Sequence, residues 1–325
     1  MKTLTPIAVA MLVAFSGNTF ADNNTAILFQ AGSNNMVVTT QDPSTHNNLI
    51  VQVQVGDSND SEASQALGAS RNLATHLQIG ELNVSRSIQD DNSSLSSLTI
   101  NQVGSMNDGY VDQEGGTANI ATLYQMGTMN EADIEQEDGA VLSIAVVNQI
   151  GEMNDADIDY DDGVVSSVAI ITQIGEMNEA DIEQDDTIAS TAIINQTGSM
   201  SDADIEQENG PVVASMAIIN QLGTMNDAGI EQGDGTAFST AIINQLGEMN
   251  DADIDQDDGT VLSIATINQA GSMNMADITQ MGAVISLAST TQLGSNNMHT
   301  TTQTGVGQTA IVLQIGSGNM GTITQ

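Results

Sequence analysis

Thirteen Gln-x-Gly tripeptides recur at intervals of 22 to 25 residues, and this register constrains the fold more than any other feature. The leading residues are Gln30, Gln54, Gln78, Gln102, Gln125, Gln149, Gln173, Gln196, Gln221, Gln245, Gln269, Gln292 and Gln314. Five residues later stands Asn in twelve of the thirteen units, among them Asn130, Asn154, Asn178, Asn226, Asn250 and Asn274; Ser201 is the exception. Eleven residues after the first Gln stands a second, again in twelve of thirteen, including Gln136, Gln184, Gln207, Gln232, Gln256, Gln280, Gln303 and Gln325; Tyr160 is the exception. A short period that fills a chain implies units stacked on their neighbours, so function belongs to recurring surfaces rather than to a single pocket.

The tenth unit shows the local logic. Ser239, Ala241, Ile243 and Gln245 alternate along one segment, and Asn250, Ala252, Ile254 and Gln256 along the next. Strict alternation predicts strands, not helices. Asp251, Asp253, Asp255 and Asp257 occupy the opposite face of the second segment. Carboxylates face water, so the Ala, Ile, Asn and Gln face is interior. Gly247 between the segments supplies a backbone conformation that a side chain hinders. The spacing of 11 between paired Gln residues never changes, so length variation falls in the turn that follows, where Pro43, Pro211 and pairs such as Asp138-Gly139 and Asp258-Gly259 lie. Each unit therefore reads as strand, tight arc, strand, looser turn.

One unit cannot bury its own interior. Stacking places the next strand about 4.8 Å away, so thirteen units make a column of roughly 60 Å. Buried amides need partners, and identical Gln and Asn residues in successive turns can pair along the stack. The predicted fold is all-β: a β-solenoid of about 13 stacked strand–arc–strand repeats with cross-β, amyloid-competent spacing.

Charge and termini bound the partners. Asp and Glu number 42 against three Lys and Arg, for a formal net charge of −39. Such a chain repels nucleic acid and anionic membrane and attracts cations. Residues 1–21 read as a secretory leader: Lys2, an apolar stretch from Ile7 to Phe15, and a cleavage site at Thr19-Phe20-Ala21. That stretch is too short to span a membrane. The repeat domain is then 22–325, secreted and without cysteine, so no disulfide framework supports it.

The pattern Ser-x5-Gln-x-Gly-x2-Asn-x-Ala-x3-Gln, read directly in 239–256 and 263–280, resembles the curlin repeat of curli fibre subunits. The likeness covers about 300 residues. Its Ser stands in eight of thirteen units, and its Ala in the seven units from Ala132 to Ala276. The resemblance implies a bacterial functional amyloid: a self-assembling extracellular fibre of the biofilm matrix with a role in surface adhesion. It also implies export through a dedicated outer-membrane pore and seeding by a nucleator subunit. There are more units here than in short curlins, and no long Gly-rich secretion tag precedes the first. The last unit, 314–325, has no basic residue, unlike nucleator-type subunits, which favours a major fibre subunit.

Thirty-three of the 42 acidic residues lie between Asp108 and Asp258. Stacked carboxylates repel by about 0.9 kcal/mol per neighbouring pair even at the dielectric of water. One reading is a solvated face that keeps the exported chain soluble and discourages lateral pairing. Another is a cation ladder in which Asp155, Asp157, Asp159, Asp251, Asp253 and Asp255 take Ca²⁺. The segment 251–259 resembles an EF-hand loop only superficially, lacking its sixth-place Gly and twelfth-place Glu. Ile170, Ile193, Ile218, Ile242, Leu222 and Leu246 form an outward apolar stripe, fit for bundling or adhesion or simply reflecting strand propensity. Met153, Met177, Met225 and Met249 fall in the arc.

The low-charge terminal units predict head-to-tail docking. Without Cys, and with His46, His76 and His299 scattered, no nucleophile–base pair or zinc motif is expected, and no enzymatic activity. The rival to a fibre subunit is a soluble acidic β-solenoid surface protein that binds Ca²⁺ or adheres without polymerising. An ice-binding solenoid needs a regular Thr array, and Thr300–Thr302 is only a local cluster.

Overall fold

The computed structural model describes 9–14 as backbone, and 23–325 apart from Asp138 and Asn209. The expected leader thus lies outside the described residues except for its strand Val9–Ala14, and Asp138 of the second turn lies outside them too. No helix occurs among the described residues. The molecule is an all-β solenoid of thirteen layers.

Each layer contributes one strand to each of two facing parallel sheets. In the sixth layer these are Ile144–Glu152 and Asp155–Tyr160. The first-strand sheet runs from Thr25–Ser33 to Thr309–Ser317, with Val9–Ala14 added antiparallel on its N-terminal edge. The second-strand sheet runs from Met36–Gln41 to Met320–Thr324. Pairing is in phase: Ala145 opposes Ala169, Gln149 opposes Gln173, and Gly151 opposes Gly175. A one-residue slip would turn the buried set outward, so the alternation itself fixes this register. The second turns stack as well, through single bridges from His46 to Ser70 onward and the short pair Thr187–Ile188 and Val212–Val213.

The core is the thin space between the sheets. Ala145 and Val147 enter it from one side and Ala156 and Ile158 from the other, all fully or nearly fully buried. Burying Val147 or Ile158 contributes roughly 1.5–3 kcal/mol and each Ala about 0.8 kcal/mol, too little to offset the ordering of a whole layer at about 1 kcal/mol or more per residue. Stability therefore accrues between layers rather than within one.

The interior changes along the column. From Leu98 and Ile100 to Ile278 it is aliphatic apart from Tyr160. The first three layers instead carry a polar network: Thr39 Oγ1 donates to Gln52 Oε1 (2.5 Å), and Gln52 Nε2 to Ser61 Oγ (2.9 Å). His76 Nδ1 lies 2.9 Å from the hydroxyls of Ser61 and Ser85, and its Nε2 lies 2.7 Å from Ser87. At the other end His299 and Thr301 are buried and hydrogen-bonded at 2.9 Å.

Candidate assembly surfaces

The buried amides form three ladders along the column. In the first, Nε2 of each Gln donates to Oε1 of the next, unbroken from Gln30 to Gln314, at 2.8–3.1 Å. The direction is set by the backbone. Gln173 Nε2 also donates to the carbonyls of Asp155 (2.6 Å) and Asn178 (3.1 Å), which leaves only Oε1 to receive the preceding amide.

The second ladder joins Gln41 to Gln136 and Gln184 to Gln325 at 2.5–3.2 Å, through Gln207, Gln232, Gln256, Gln280 and Gln303. The sequence expectation of continuity through Gln136 and Gln184 is corrected at Tyr160. That ring is fully buried and its hydroxyl donates to Ile144 O (2.8 Å). It neither accepts from Gln136 nor donates to Gln184, so Gln136 Nε2 and Gln184 Oε1 are left buried without a partner.

The Asn ladder runs the other way. Nδ2 of each later Asn donates to Oδ1 of the one before, at 2.7–3.2 Å, from Asn59 through Asn130, Asn154 and Asn178, and again from Asn250 through Asn274 to Asn319. Backbone partners again fix the sense: Asn154 Nδ2 also donates to Gly175 O (3.0 Å), while Asn154 Oδ1 accepts the Asn178 N–H (3.2 Å). Ser201 breaks the run. It reaches Asn178 Oδ1 through its own N–H (3.3 Å), and Asn226 Nδ2 keeps only its bond to Gly247 O (3.1 Å), while its Oδ1 still accepts from Asn250.

The arc explains the Gly column. Twelve motif glycines, from Gly32 to Gly294, have φ between +125° and +142°, and a Cβ on any of them would lie 1.7–1.9 Å from the carbonyl oxygen of the next layer's Gly. At the thirteenth, Gly316, the nearest atom to such a Cβ is Asn319 Nδ2 at 3.8 Å. Two residues beyond the Gly, Met106, Met129, Met153, Met177, Met200, Met225, Met249 and Met273 adopt left-handed φ of 52–56° and stand exposed in one column.

The two outer faces differ in chemistry. The second-strand face carries the acid. Burial, reinforced by neighbouring carboxylates, raises Asp157 and Asp204 to about 7, and Asp133, Asp181 and Asp255 to about 6. Asp155, Asp159, Asp251 and Asp253 are also raised, chiefly by burial. These side chains point outward along Asp155–Tyr160 and Asp251–Asp257. Among the described residues, the carboxylate oxygens that converge as a trio within 4.8 Å belong to Asp90, Asp91 and Glu114, at a second turn, not to those six Asp residues. A hydrogen bond with Asp91 raises Glu114 to about 7.

The first-strand face carries no charge up to the motif Gly; its acid is confined to the strand ends at the arc, at Asp57, Glu81, Glu152, Glu176 and Glu248. Ile170, Ile193, Ile218 and Ile242 are half-buried on it beside exposed Leu222 and Leu246. Between the apolar rows runs a fourth amide row, in which Asn195, Asn220, Asn244 and Asn268 are linked at 2.9 Å. The sequence reading missed this row, although Asn one place before the Gln recurs in those layers. It also missed the polar network, whose signal is Gln52 and His76 standing where most layers have Ile, Leu or Val. No described helix is long and apolar enough to cross a membrane. No protein-family model and no curated protein matches this chain.

Proposed function

We propose that this chain is a structural subunit of an extracellular, curli-like amyloid fibre that grows by head-to-tail stacking of solenoids. The observation that carries the reading is the complementary state of the two ends. In the layer 309–325, Gln314 Nε2 has only the Met298 carbonyl (3.0 Å) and Gln325 Nε2 only that of Thr309 (3.2 Å) as partners among the described residues. At the first layer, no hydrogen bond from a described residue reaches Gln30 Oε1 or Gln41 Oε1. Setting one copy's last layer on another's first joins Gln314 to Gln30, Gln325 to Gln41, and Asn35 to Asn319, each in the donor sense used throughout the column. An open edge of unpaired strand is a template for addition, and a head-to-tail contact that does not close yields a filament.

The strand Val9–Ala14 covers the first-strand edge at the N-terminal end. It belongs to the expected leader, so export and cleavage after Ala21 would expose Thr25–Ser33 as a docking strand. In the lineage that the repeat resembles, a nucleator and an outer-membrane pore would serve this chain. Adhesion within a biofilm matrix would follow from the fibre's surface.

The test uses residues 22–325, purified and incubated with and without fibre seeds, at neutral and mildly acidic pH, with and without Ca²⁺. The expected product is a fibre with a meridional reflection at about 4.7–4.8 Å and one chain per roughly 60 Å of length. A chain that stays monomeric under all these conditions defeats the reading and favours the soluble acidic solenoid.

A further inference from the structure

We infer that the outer face of the first-strand sheet is a pairing surface for the same face of a second copy, side by side rather than end to end. This does not rest on the head-to-tail reading, because the face exists on every single solenoid.

The argument begins with what the face lacks. In each of the thirteen repeat strands, the residues five, three and one before the ladder Gln and one after it point outward, and none of these 52 positions, from Thr25 to Ile315, holds Asp, Glu, Lys or Arg. On the second-strand sheet the corresponding outward positions, six, eight and ten after the Gln, hold 22 acidic residues among 39, against the single basic Arg86. In a chain of net charge −39, this part of the first-strand face is the broad surface on which two copies can meet without opposing carboxylates, the acidic strand ends at the arc lying along one margin. Sheets packed face to face lie about 10 Å apart. A pair joined there holds its two acidic faces about 30 Å apart, beyond three Debye lengths at ~0.15 M salt.

Size and period also favour a second copy. The charge-free part of each strand, seven residues as in 144–150, makes the face about 23 Å wide, and thirteen layers make it about 60 Å long. The resulting footprint of roughly 1,400 Å² exceeds the ~800 Å² per partner of a stable interface. Another copy carries the same layer spacing, so ridges and grooves stay in step along the whole length, as in dry cross-β interfaces.

The relief suits such packing. A groove of about 410 Å³ is lined by the Asn195–Asn268 row and by Leu222, Leu246 and Leu293, with small Thr197 and Ala270 opening space between the leucines. The groove's asparagine amides already bond to one another at 2.9 Å. Covering them therefore removes less hydration than covering free amides would.

The chain has no cysteine, so single introduced thiols report contacts. Ile170→Cys lies outward in the seventh and central layer. Under a two-fold axis, parallel or antiparallel, that layer faces its own equivalent. Asp181→Cys sits in the same layer on the acidic face. In dilute solution at neutral pH under mild oxidation, Ile170→Cys is expected to form a disulfide dimer at least tenfold faster than Asp181→Cys. End-to-end contacts link neither position, which lies roughly 30 Å from each end, so failure here leaves the head-to-tail reading standing and the converse also holds. Ile27→Cys in the first layer crosslinks readily if the pair is parallel and poorly if it is antiparallel. As a second measurement, Ile193→Glu/Ile218→Glu should shift the sedimentation of the unoxidised protein from dimer to monomer while leaving its β-sheet circular dichroism unchanged. Equal crosslinking of the two central thiols overturns the proposal. So does a wild-type chain that sediments as a monomer yet adsorbs to an alkyl-coated surface or lipid vesicle through this face.

Discussion

Two glycine substitutions separate the requirement for stacking within the chain from the requirement for stacking between chains. In Gly223→Ala the new Cβ would lie 1.8 Å from the carbonyl oxygen of Gly247, at φ +137°. Ordinary contact needs about 3.4 Å or more, so the two arcs must part by about 1.6 Å, enough to break hydrogen bonds formed near 3 Å. Losing two or three backbone bonds costs about 1 kcal/mol each, and stranding Asn226, whose amide holds Gly247 O at 3.1 Å, costs another ~1–3 kcal/mol. Left-handed strain adds ~1–2 kcal/mol. The expected loss is about 4–8 kcal/mol around layers nine and ten, read as a lowered urea midpoint and fast amide exchange in those strands. Gly316→Ala carries the same kind of strain at φ +110°, but its Cβ meets nothing closer than Asn319 Nδ2 at 3.8 Å. It should cost only about 1–2 kcal/mol and leave the monomer folded. Yet in a head-to-tail fibre that Cβ would meet the incoming Gly32 carbonyl, so seeded elongation should slow at least tenfold. Equal destabilisation by the two substitutions refutes the stacking argument, and normal elongation of Gly316→Ala refutes the docking geometry.

Other consequences are open to the same kind of check. Ser201→Asn restores the interrupted ladder and should stabilise by about 1–2 kcal/mol, seen as a higher urea midpoint; no gain would mean the break is already compensated. Tyr160→Gln gives partners to Gln136 Nε2 and Gln184 Oε1 at ~1–3 kcal/mol each, against ~1 kcal/mol for the lost hydroxyl bond and ~1–2 kcal/mol for ring volume; a net gain of about 1 kcal/mol is expected, and a fall in Tm would show that the ring's packing dominates. Because Asp133, Asp157, Asp181, Asp204 and Asp255 titrate higher when folded than when unfolded, their stabilising contribution is complete below about pH 4 and is lost as pH rises through 6–7. Tm should therefore fall from pH 4 to pH 8 and recover partly with salt, whereas His76, lowered by burial to about 3, opposes the trend below pH 6.5. A Tm that rises over that range would contradict the carboxylate argument.

What the sequence made legible was the set of facings. Asp251, Asp253 and Asp255 alternate with Ala252, Ile254 and Gln256, and water can take only one of those sets. That alone places the ladders inside, the acid outside and the glycines at the arc. The interior chemistry of the first layers was obscured because Gln52, Ser61, His76, Ser85 and Ser87 are polar, and polarity in an alternating pattern reads as outward. Only their place in the Gln-x-Gly register assigns them to the core. Tyr160 was visible as an exception, but the two amide atoms it strands belong to residues 24 positions away on either side.

Ladder direction was beyond any reading of the one-dimensional pattern, because an amide has no intrinsic sense along a stack. Backbone carbonyls in other strands supply it: Asp155 O holds Gln173 Nε2, and Gly175 O holds Asn154 Nδ2. Once supplied, direction distinguishes the ends. The N-terminal layer offers Gln oxygens and an Asn amide, and the C-terminal layer offers Gln amides and an Asn oxygen. A like-end contact in register would set Gln acceptor against Gln acceptor and leave both buried without partners, at ~1–3 kcal/mol apiece. Only unlike ends would satisfy all three ladders, so in the proposed fibre the polarity that holds one solenoid together would also confine end contacts to the open, non-closing kind from which filaments grow.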